Sequence, residues 1–599
     1  MALERKSIDA KYKWDLSAIY PTDADFEKEV AKTEKLIGEF SPYAQRMTES
    51  AEGLYSTLAA NSAIVEKIQK LWCYAHLGFA VDTSDNSAQG KMSKIRALAV
   101  SADSATWFIA PYLMKLDESA VEDWYKTEPR LESYRRTIDK ALAKKPYMLS
   151  DECEKLMAKM GNCLDTHEDI RGIFANSDLQ FGKIRNEKGE LVQLDSANYV
   201  AFLMSGDRRV RQAAFRTLYK TYEQFGNTFG TMYSHYVKEQ CTVAKIRGYS
   251  SSLAASTFSD EVTPVIYNSL IKSVHRAMPV LYDYYELKRE VLGVDKLHLY
   301  DVYAPLVGEL DSEYSYEQAV EEVLKTARIF GDEYYDTLKS GLTERGWVDV
   351  YPTKGKRGGA FSAGCPSTEP YILTNFMGKY NDVSTLIHEA GHSMHSYFSR
   401  KYNPPHRSHY TIFVAEVAST VNELLLAHRK LAECESREEK LYILNQLMET
   451  YKSTLYRQTM FAEFERDIHA LYEKGVPLTS ELICKNYRRL INLYFGKNVV
   501  KDKQITYEWM RVPHFYSAFY VYKYATCISA ASAIVKRIEE EGESYIGKYI
   551  DFLKCGDSLS PVESLKVAGI DMTDPAVIDG AIKDFSSSIA EFRRVYNEK

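Results

Sequence analysis

Two histidines and a glutamate are spaced for metal chemistry in the segment NDVSTLIHEAGHSMHSYFSRKY, which spans Asn381–Tyr402 and contains the pattern H-E-x-x-H. On an α-helix, residues four positions apart lie on the same face, so the imidazoles of His388 and His392 can bind one small cation. Zinc suits such a pair, and Glu389 would lie beside the metal, where it can accept a proton from an activated water. These residues predict a zinc ion and a general base.

A catalytic zinc ion takes three protein ligands and keeps one position open, so a third ligand must come from elsewhere. His395 is a further turn along the helix from His388, too far for one ion. His406 and His409 lie in a loop whose course the sequence does not fix. Glu416 is the strongest candidate, because apolar residues flank it in TIFVAEVAS and an ionised carboxylate buried there needs a cation.

Two helices must position these ligands. The first is predicted over 382–402, with Asn381 or Asp382 as its N-cap and a proline pair after its end. The second is predicted over 411–434 and carries Glu416. The metal site is therefore expected on rigid elements.

Two polar residues follow the candidate carboxylate ligand on the second helix. Ser419 and Glu423 lie on nearby turns, from which a side chain could hold a ligand histidine by its outer nitrogen. Such a contact would fix the orientation of the imidazole.

A small sheet is predicted next to the first helix, over 347–377, where the helical period breaks and Gly, Pro and Thr become frequent. Gly359 and Ala360 carry almost no side chain, so an extended peptide could pair with the backbone at this edge. A tight turn leading into a packed strand explains the same residues equally well.

Amide hydrolysis passes through an oxyanion, which needs hydrogen-bond donors. A dense set of donors lies at 511–524, in RVPHFYSAFYVYKY. If this block is helical, two stripes are expected, one with Tyr516, Tyr520 and Tyr524 and the other with Phe515, Phe519 and Tyr522. An aromatic stripe of this kind is more often part of a core than of an active site.

Length and composition limit the class of protein. A chain of 599 residues exceeds what one hydrophobic core usually organises, so two or more lobes are expected. The net charge of -7 does not favour nucleic acid as a partner, and no apolar run reaches the roughly 20 residues of a membrane-spanning helix. Nine cysteines without a C-x-x-C pair are typical of reduced thiols. We therefore expect a cytoplasmic protein without nucleic acid or membrane partners.

The chain resembles the oligoendopeptidase F group of the thimet-type (M3) zinc metallopeptidases. The resemblance rests on HEAGH, the downstream FVAEVASTVNE, the early WDLSAIY, the segment KRGGAFSAG, the run RQTMFAEFE and the block HFYSAFYVYKYA, all in the same order. It covers most of the chain and is strongest over 346–526. It implies a mainly α fold, a two-lobed helical ellipsoid around a deep channel, with the small β-sheet beside the zinc-binding helix.

The resemblance also implies roles for single residues. His388, His392 and Glu416 match the zinc ligands and Glu389 the general base. His514 matches the family's histidine near the reacting carbonyl, while Tyr516 and Tyr522 match its tyrosine donors and Gly359 and Ala360 the strand along the substrate. It implies an endopeptidase that cleaves short oligopeptides.

For the domains, we predict an N-terminal helical lobe over 1–195, with a small hairpin near its end, and a catalytic domain over 196–599. Two other functions fit the same residues: a peptide-binding carrier without catalysis, and an exopeptidase that trims chain ends. The carrier predicts no bound zinc. The exopeptidase needs a charged anchor for a free terminus, which the sequence does not reveal.

Overall fold

The computed structural model describes residues 3–164, 166–310 and 313–598. The chain divides into two compact units, each made from three separate stretches. Unit 1 is Met1–Met148, Asp311–Leu426 and Ile534–Gly569, and unit 2 is Leu149–Leu310, Ala427–Ala533 and Ile570–Lys599. Each unit combines stretches from different parts of the sequence. The predicted division into an N-terminal lobe over 1–195 and a catalytic domain over 196–599 stays a prediction.

The regular elements are mostly helices. The first half of the chain contains α1 Asp23–Gly38, α2 Tyr43–Glu49, α3 Ala51–Val81, α4 Asn86–Thr106, α5 Ile109–Lys115, α6 Glu118–Thr127, α7 Arg135–Ala143, α8 Asp151–Leu164, α9 Thr166–Ile173, β1 Lys183–Arg185, β2 Leu191–Gln193, α10 Tyr199–Leu203, α11 Arg208–Gln224, α12 Gly226–Ile246, α13 Ser252–Ser259, α14 Pro264–Arg276, α15 Met278–Val291 and β3 Leu297–His298. The second half contains α16 Tyr316–Ala327, α17 Asp332–Thr343, β4 Val348–Asp349, β5 Phe361–Ala363, β6 Tyr371–Leu373, α18 Tyr380–Tyr402, α19 Ile412–Glu433, α20 Arg437–Thr450, α21 Arg457–Glu473, α22 Ser480–Tyr494, β7 Val499–Val500, α23 Tyr522–Glu541, α24 Glu543–Lys554, α25 Pro561–Val567 and α26 Pro575–Asn597. The predicted mainly α fold is confirmed, and the ellipsoid and its channel stay predictions.

One hydrophobic core in unit 1 joins the N-terminal helices to the small sheet. Apolar residues recur at helical spacing along α1, so that Phe26, Val30 and Ile37 are buried on one face. The same core includes Tyr371 and Leu373 of β6. The N-terminal helices therefore hold the sheet in place beside the candidate site.

The small sheet has three strands in the order β4-β6-β5, and the segment predicted for it contains all three. β4 pairs with β6 in parallel, and β5 pairs with β6 antiparallel, with Ser362 opposite Ile372. β5 is thus an edge strand of this sheet. The hydroxyl of Ser362 lies 2.9 Å from that of Ser393 in α18, which ties the edge strand to the helix.

α18 begins two residues before its predicted start. Asp382 is its third residue rather than its N-cap, and its Oδ2 accepts hydrogen bonds from the backbone N–H groups of Met377 and Lys379, both at 2.9 Å. This carboxylate satisfies donors at the helix start, where negative charge is favoured. The predicted end at Tyr402 is confirmed.

The third stretch of unit 1 packs against α18. Phe552 of α24 contacts the ring of His395 at a centroid distance of 5.3 Å. The side-chain amide of Asn403, just after α18, donates a hydrogen bond to the carbonyl of Lys554 at 2.6 Å. Residues more than 100 positions later in the sequence therefore support the helix.

Unit 2 is built from helices α8 to α15, α20 to α22 and α26. It also contains the predicted hairpin, in which β1 and β2 pair antiparallel and Gly189 in the turn has φ +79°. Along the described residues, no helix is both long and apolar enough to cross a membrane.

Candidate metal centre

Three candidate ligands meet in unit 1. Nε2 of His388 lies 3.2 Å from Nε2 of His392, and each lies 3.4 Å from Oε2 of Glu416. Within the described parts of the chain, this is the one group of three or more His, Cys, Asp or Glu side chains close enough to hold a metal ion. The structure thus brings two histidines of α18 and a glutamate of α19 to one point.

The separations of these atoms fit a small tetrahedral ion. Zinc lies about 2.0–2.1 Å from nitrogen or oxygen ligands, and in a tetrahedron this bond length separates two ligands by about 3.3–3.4 Å. The three observed separations match that figure. The three side chains are therefore spaced as a small tetrahedral ion needs, without further movement.

The two helices come this close because of a glycine. A Cβ on Gly391 would lie 2.7 Å from Cα of Ser419 and 2.8 Å from the carbonyl oxygen of Ala418. Any larger residue would push α19 away from α18 and take Glu416 with it. This role of Gly391 was not predicted from the sequence, although a glycine inside H-E-x-x-H and the small residues Ala418 and Ser419 on the second helix indicate a close helix approach.

Hydrogen bonds around the ligands fix their orientation. Oε1 of Glu423 accepts a hydrogen bond from Nδ1 of His388 at 2.6 Å, so Nε2 of that ring is left to face the metal position. The hydroxyl of Ser419 donates to Oε2 of Glu416 at 3.2 Å. The expected contact of Glu423 with one of the two histidines is confirmed, whereas Ser419 contacts the carboxylate of Glu416 instead.

The electrostatics of the site favour a cation. Burial lowers the pKa of His388, but the carboxylates of Glu423, Glu389 and Glu416 outweigh burial and raise the pKa to about 9. Burial likewise raises the pKa of Glu416, but the hydrogen bond and charge of His392 together with the charge of His388 lower it to about 2. The carboxylates that hold a proton on His388 so strongly create a negative potential at the site, which also favours a divalent cation.

Glu389 lies between the two histidines in sequence and is buried. Its Oε2 has no hydrogen-bond partner among the described residues. Burial raises its pKa, which the neighbouring histidines oppose. A buried carboxyl with a free oxygen and a raised pKa has the properties of a general base that works near neutral pH.

The other histidines considered as third ligand lie elsewhere. His395 is buried with its ring stacked on Tyr410 at 3.7 Å, and burial lowers its pKa to about 3. The Nε2 of His406 lies 2.8 Å from the carbonyl oxygen of Ser133, and His409 lies 3.4 Å from Asp557. These contacts give His395 a packing role and remove the loop histidines from consideration.

The tyrosine-rich block lies in unit 2 and is not one helix. Lys503–Arg511 and Pro513–Tyr516 are 3-10 segments, a turn follows, and the α-helix begins only at Tyr522. The two helical stripes predicted for this block are therefore wrong. The physical reason is Phe519, whose φ of +56° interrupts helical geometry.

The candidate donors in this block differ in their surroundings. His514 is half-buried, and burial lowers its pKa. The buried hydroxyl of Tyr516 has no hydrogen-bond partner among the described residues. The hydroxyl of Tyr522 donates to Oδ2 of Asp260 at 3.3 Å.

A buried glutamate supports the turn. The N–H of Phe519 donates to Oε1 of Glu465 at 3.0 Å, and Glu465 is fully buried. Burial raises the pKa of Glu465 well above its usual value. Glu465 belongs to the RQTMFAEFE run, and its role beneath the turn was not predicted from the sequence.

Gly359 and Ala360 directly precede β5. Gly359 has φ +80°, and its carbonyl accepts a hydrogen bond from the side-chain amide of Asn375 at 2.8 Å. A glycine is favoured there because side chains disfavour this backbone conformation. The two residues thus lead into the edge strand of the sheet.

Sequence models of known families match most of the chain. The model described as peptidase family M3 matches residues 201–584, and the model described as oligopeptidase F matches residues 113–181.

Curated relatives match over almost the whole chain. Oligopeptidase PepF of Bacillus subtilis is 39% identical over 592 residues, which cover 99% of this chain and 88% of the relative. An oligoendopeptidase F homolog of Lactococcus lactis subsp. lactis is 34% identical over 598 residues and 99% of each chain. The crystal structure of oligoendopeptidase F from Enterococcus faecium is 32% identical, with a TM-score of 0.77 over 96% of this chain and 100% of that one.

Proposed function

This chain belongs to peptidase family M3 and is a peptide-hydrolysing metalloendopeptidase of the oligoendopeptidase F type, and we propose that it uses zinc to cleave internal bonds of short oligopeptides. The ligands would be His388, His392 and Glu416. The observation that carries this proposal is the triangle of ligand atoms, with sides of 3.2, 3.4 and 3.4 Å.

The chemistry divides between the ion and the side chains. When bound, zinc lowers the pKa of water toward neutrality and polarises the peptide carbonyl. Glu389 accepts the proton of the attacking water and then transfers it to the departing amine. Its raised pKa and its free buried oxygen support both steps.

The oxyanion needs donors, and we assign this role to His514 with a tyrosine hydroxyl from the block 511–524. Tyr516 and Tyr522 are the proposed donors, on the basis of their match to the family pattern. The free hydroxyl of Tyr516 supports its assignment, whereas Tyr522 must release Asp260 before it can donate elsewhere.

The substrate is proposed to lie along β5. An extended peptide would pair with the edge of the sheet near Gly359 and Ala360, so that main-chain hydrogen bonds give affinity with little dependence on sequence. The edge position of β5 supports this placement.

The proposed location is the cytoplasm. The nine cysteines are free thiols, and Cys73 and Cys365 lie close enough to form a hydrogen bond without being joined. Thiols of this kind persist in a reducing compartment. Fractionation of cells followed by immunodetection tests this assignment.

One digestion tests the proposed activity. A peptide of about ten residues, blocked at both ends, is incubated with the full-length protein, with and without a chelator, and the products are weighed by mass spectrometry. We expect one or a few internal cuts that disappear with the chelator and return with added Zn²⁺, together with one zinc ion per chain by elemental analysis. No cleavage would favour the carrier, and cleavage of unblocked peptides alone would favour the exopeptidase.

A further inference from the structure

Arg400 lies near the C-terminal end of α18 and has no visible partner. Its Nη1 is buried without a hydrogen bond, and none of its nitrogens forms a hydrogen bond or ion pair with another described residue. Burial lowers its pKa, which marks a guanidinium whose charge is poorly compensated. A buried charge of this kind is costly unless an anion joins it.

The acidic groups nearby are engaged by other residues. Oε1 of Glu369 accepts a hydrogen bond from Arg345 at 2.9 Å, and Oε2 accepts one from the indole N–H of Trp347 at 3.1 Å. The carboxylate of Asp557 is held by Lys140 at 2.5 and 2.8 Å. Neither carboxylate is free to neutralise Arg400.

Arg400 lines a cavity of about 570 Å³ that lies wholly within unit 1. The described residues that line it include Trp72, Arg96, Cys365 and Tyr410 but no Asp or Glu. Its volume is in the range of small-molecule and peptide pockets. The cavity therefore combines positive charge with an aromatic wall.

A glycine brings the guanidinium close to the backbone. Gly364 directly follows β5, and a Cβ at this position would lie 2.6 Å from Nη1 of Arg400. A chain that extends along the edge of β5 would therefore run toward Arg400 at the end of the strand. Gly364 also lines the cavity, so the edge strand and the cavity meet at this residue.

The position of Arg400 sets a distance from the metal site. It follows His392 by eight residues on the same helix, which is about 12 Å along the axis at a rise of about 1.5 Å per residue. An extended peptide covers this distance with three to four residues at about 3.3 Å each. A group bound at Arg400 would thus lie that many residues from the bond that is cut.

We propose that Arg400 and its cavity form a subsite for a carboxylate of the peptide substrate, three to four residues from the cleaved bond. This inference rests on the proposed function, because it places the substrate along β5. Two sources can supply the carboxylate, the free C-terminus of a short peptide or an acidic side chain. A guanidinium binds either source through charge-assisted hydrogen bonds, often in a bidentate manner.

The test compares matched peptides with the zinc-loaded full-length enzyme. Fluorescence-quenched peptides with a single cleavage site are made with the C-terminus two to six residues beyond the cut, each as free acid and as amide. We expect kcat/KM to favour the acid about 10- to 100-fold when the C-terminus lies three or four residues away, mostly through KM. Longer amidated peptides with Asp or Asn at that position measure the contribution of an acidic side chain.

Variants locate the effect. Arg400→Met should reduce kcat/KM for the acid to about the value for the amide, with a much smaller change for the amide, and Arg400→Lys should retain part of the preference. Lys401→Met is the matched control, because it removes a positive charge from the next residue. The Lys401 side chain is 46% exposed, and its Nζ lies 2.7 Å from Oε1 of Glu333. This variant should leave the preference intact.

Cys365 provides a second control. Tyr410 and Cys365 are the titratable groups that act most on Arg400, and the hydrogen bond with Cys73 lowers the pKa of Cys365 to about 6. A thiolate there would compete with a bound carboxylate. Cys365→Ser should therefore maintain or increase the preference for the acid.

The proposal is overturned if neither the free acid nor the Asp side chain is preferred, or if Arg400→Met weakens acid and amide peptides equally. Chelator-sensitive cleavage of the amidated peptides would continue in that case, so the proposed function would stand. Calorimetric binding of acid and amide peptides to Glu389→Gln decides the question without turnover: equal affinities overturn the subsite, and tighter binding of the acid supports it.

Discussion

The metal centre of unit 1 and the tyrosine-rich block of unit 2 are both groups of reactive side chains close in sequence, yet they are built differently. His388, His392 and Glu416 lie on two regular α-helices, where hydrogen-bonded geometry fixes the direction of each side chain. The block 511–524 consists of 3-10 segments and a turn at Phe519. Spacing in the sequence therefore translates into geometry in the first region and does not in the second.

Their supporting glutamates differ in the same way. Glu416 is partly buried beside histidines, and their charge lowers its pKa to about 2 in spite of its burial. Glu465 is fully buried beneath the turn, and burial raises its pKa. One carboxyl is maintained as an anion that can bind a metal, and the other is maintained as a neutral acid that supports the backbone.

The largest effect is expected in the helical region. Glu389→Gln removes the proton acceptor while it retains the shape of the side chain, so turnover should fall by several orders of magnitude. Zinc content and peptide affinity should stay near wild type, because the ligands are untouched. Single-turnover kinetics and elemental analysis measure both, and retained turnover would contradict the assignment.

The next effect concerns the irregular region. Tyr516→Phe and Tyr522→Phe each remove one hydroxyl and should lower kcat about 10²-fold, as expected for loss of an oxyanion donor, with little change in KM. Tyr520→Phe and Tyr524→Phe in the same block are the matched controls and should stay within a few-fold of wild type. If Tyr520→Phe or Tyr524→Phe caused the large loss instead, the oxyanion donor would be one of these two tyrosines, whose rings lie near His514.

A smaller effect should follow from the contact that orients the first ligand. Glu423→Gln weakens the hydrogen bond to Nδ1 of His388, so zinc affinity should fall about 10- to 100-fold. Competition with a calibrated chelator measures the affinity. Ser419→Ala, which removes a neutral donor to Glu416, should have the weaker effect, and the reverse order would show that the histidine contact does not control binding.

The smallest effect distinguishes the neutral glutamate from the ionised one. Because the folded protein raises the pKa of Glu465, the unfolded chain loses this proton first as pH rises above the ordinary glutamate value, and folding stability declines. Glu465→Gln lacks this contribution and retains a carbonyl for the N–H of Phe519. Its Tm relative to wild type should therefore rise by a few degrees from pH 4 to pH 8, whereas a constant difference would contradict a raised pKa.

The helical parts of the fold were largely predictable because helix period and end signals are local. The second ligand helix spans Ile412–Glu433, within one residue of its prediction at each end, and all three strands of the small sheet fall inside 347–377. The parallel pairing of β4 with β6 was not predicted, since strand order depends on contacts distant in sequence. The approach of α19 to Gly391 escaped prediction for the same reason.

The turn at Phe519 shows the opposite limit. Nothing local marks a phenylalanine for a φ of +56°, and its backbone donor is satisfied by Glu465, 54 residues earlier. The partnerless state of Arg400 was equally invisible, because it depends on where Glu369 directs its carboxylate. The sequence shows which polar and charged side chains are present. Only the tertiary contacts decide which of them have a hydrogen-bond or ion-pair partner.

The discontinuous make-up of unit 1 has a consequence for biosynthesis. The candidate ligands His388, His392 and Glu416 are translated before α24, which packs on α18 through Phe552 and begins more than 100 residues after Glu416. Until then a nascent chain presents the H-E-x-x-H helix with part of its supporting surface missing. The H-E-x-x-H helix therefore gains its full supporting surface only after α24 has been translated.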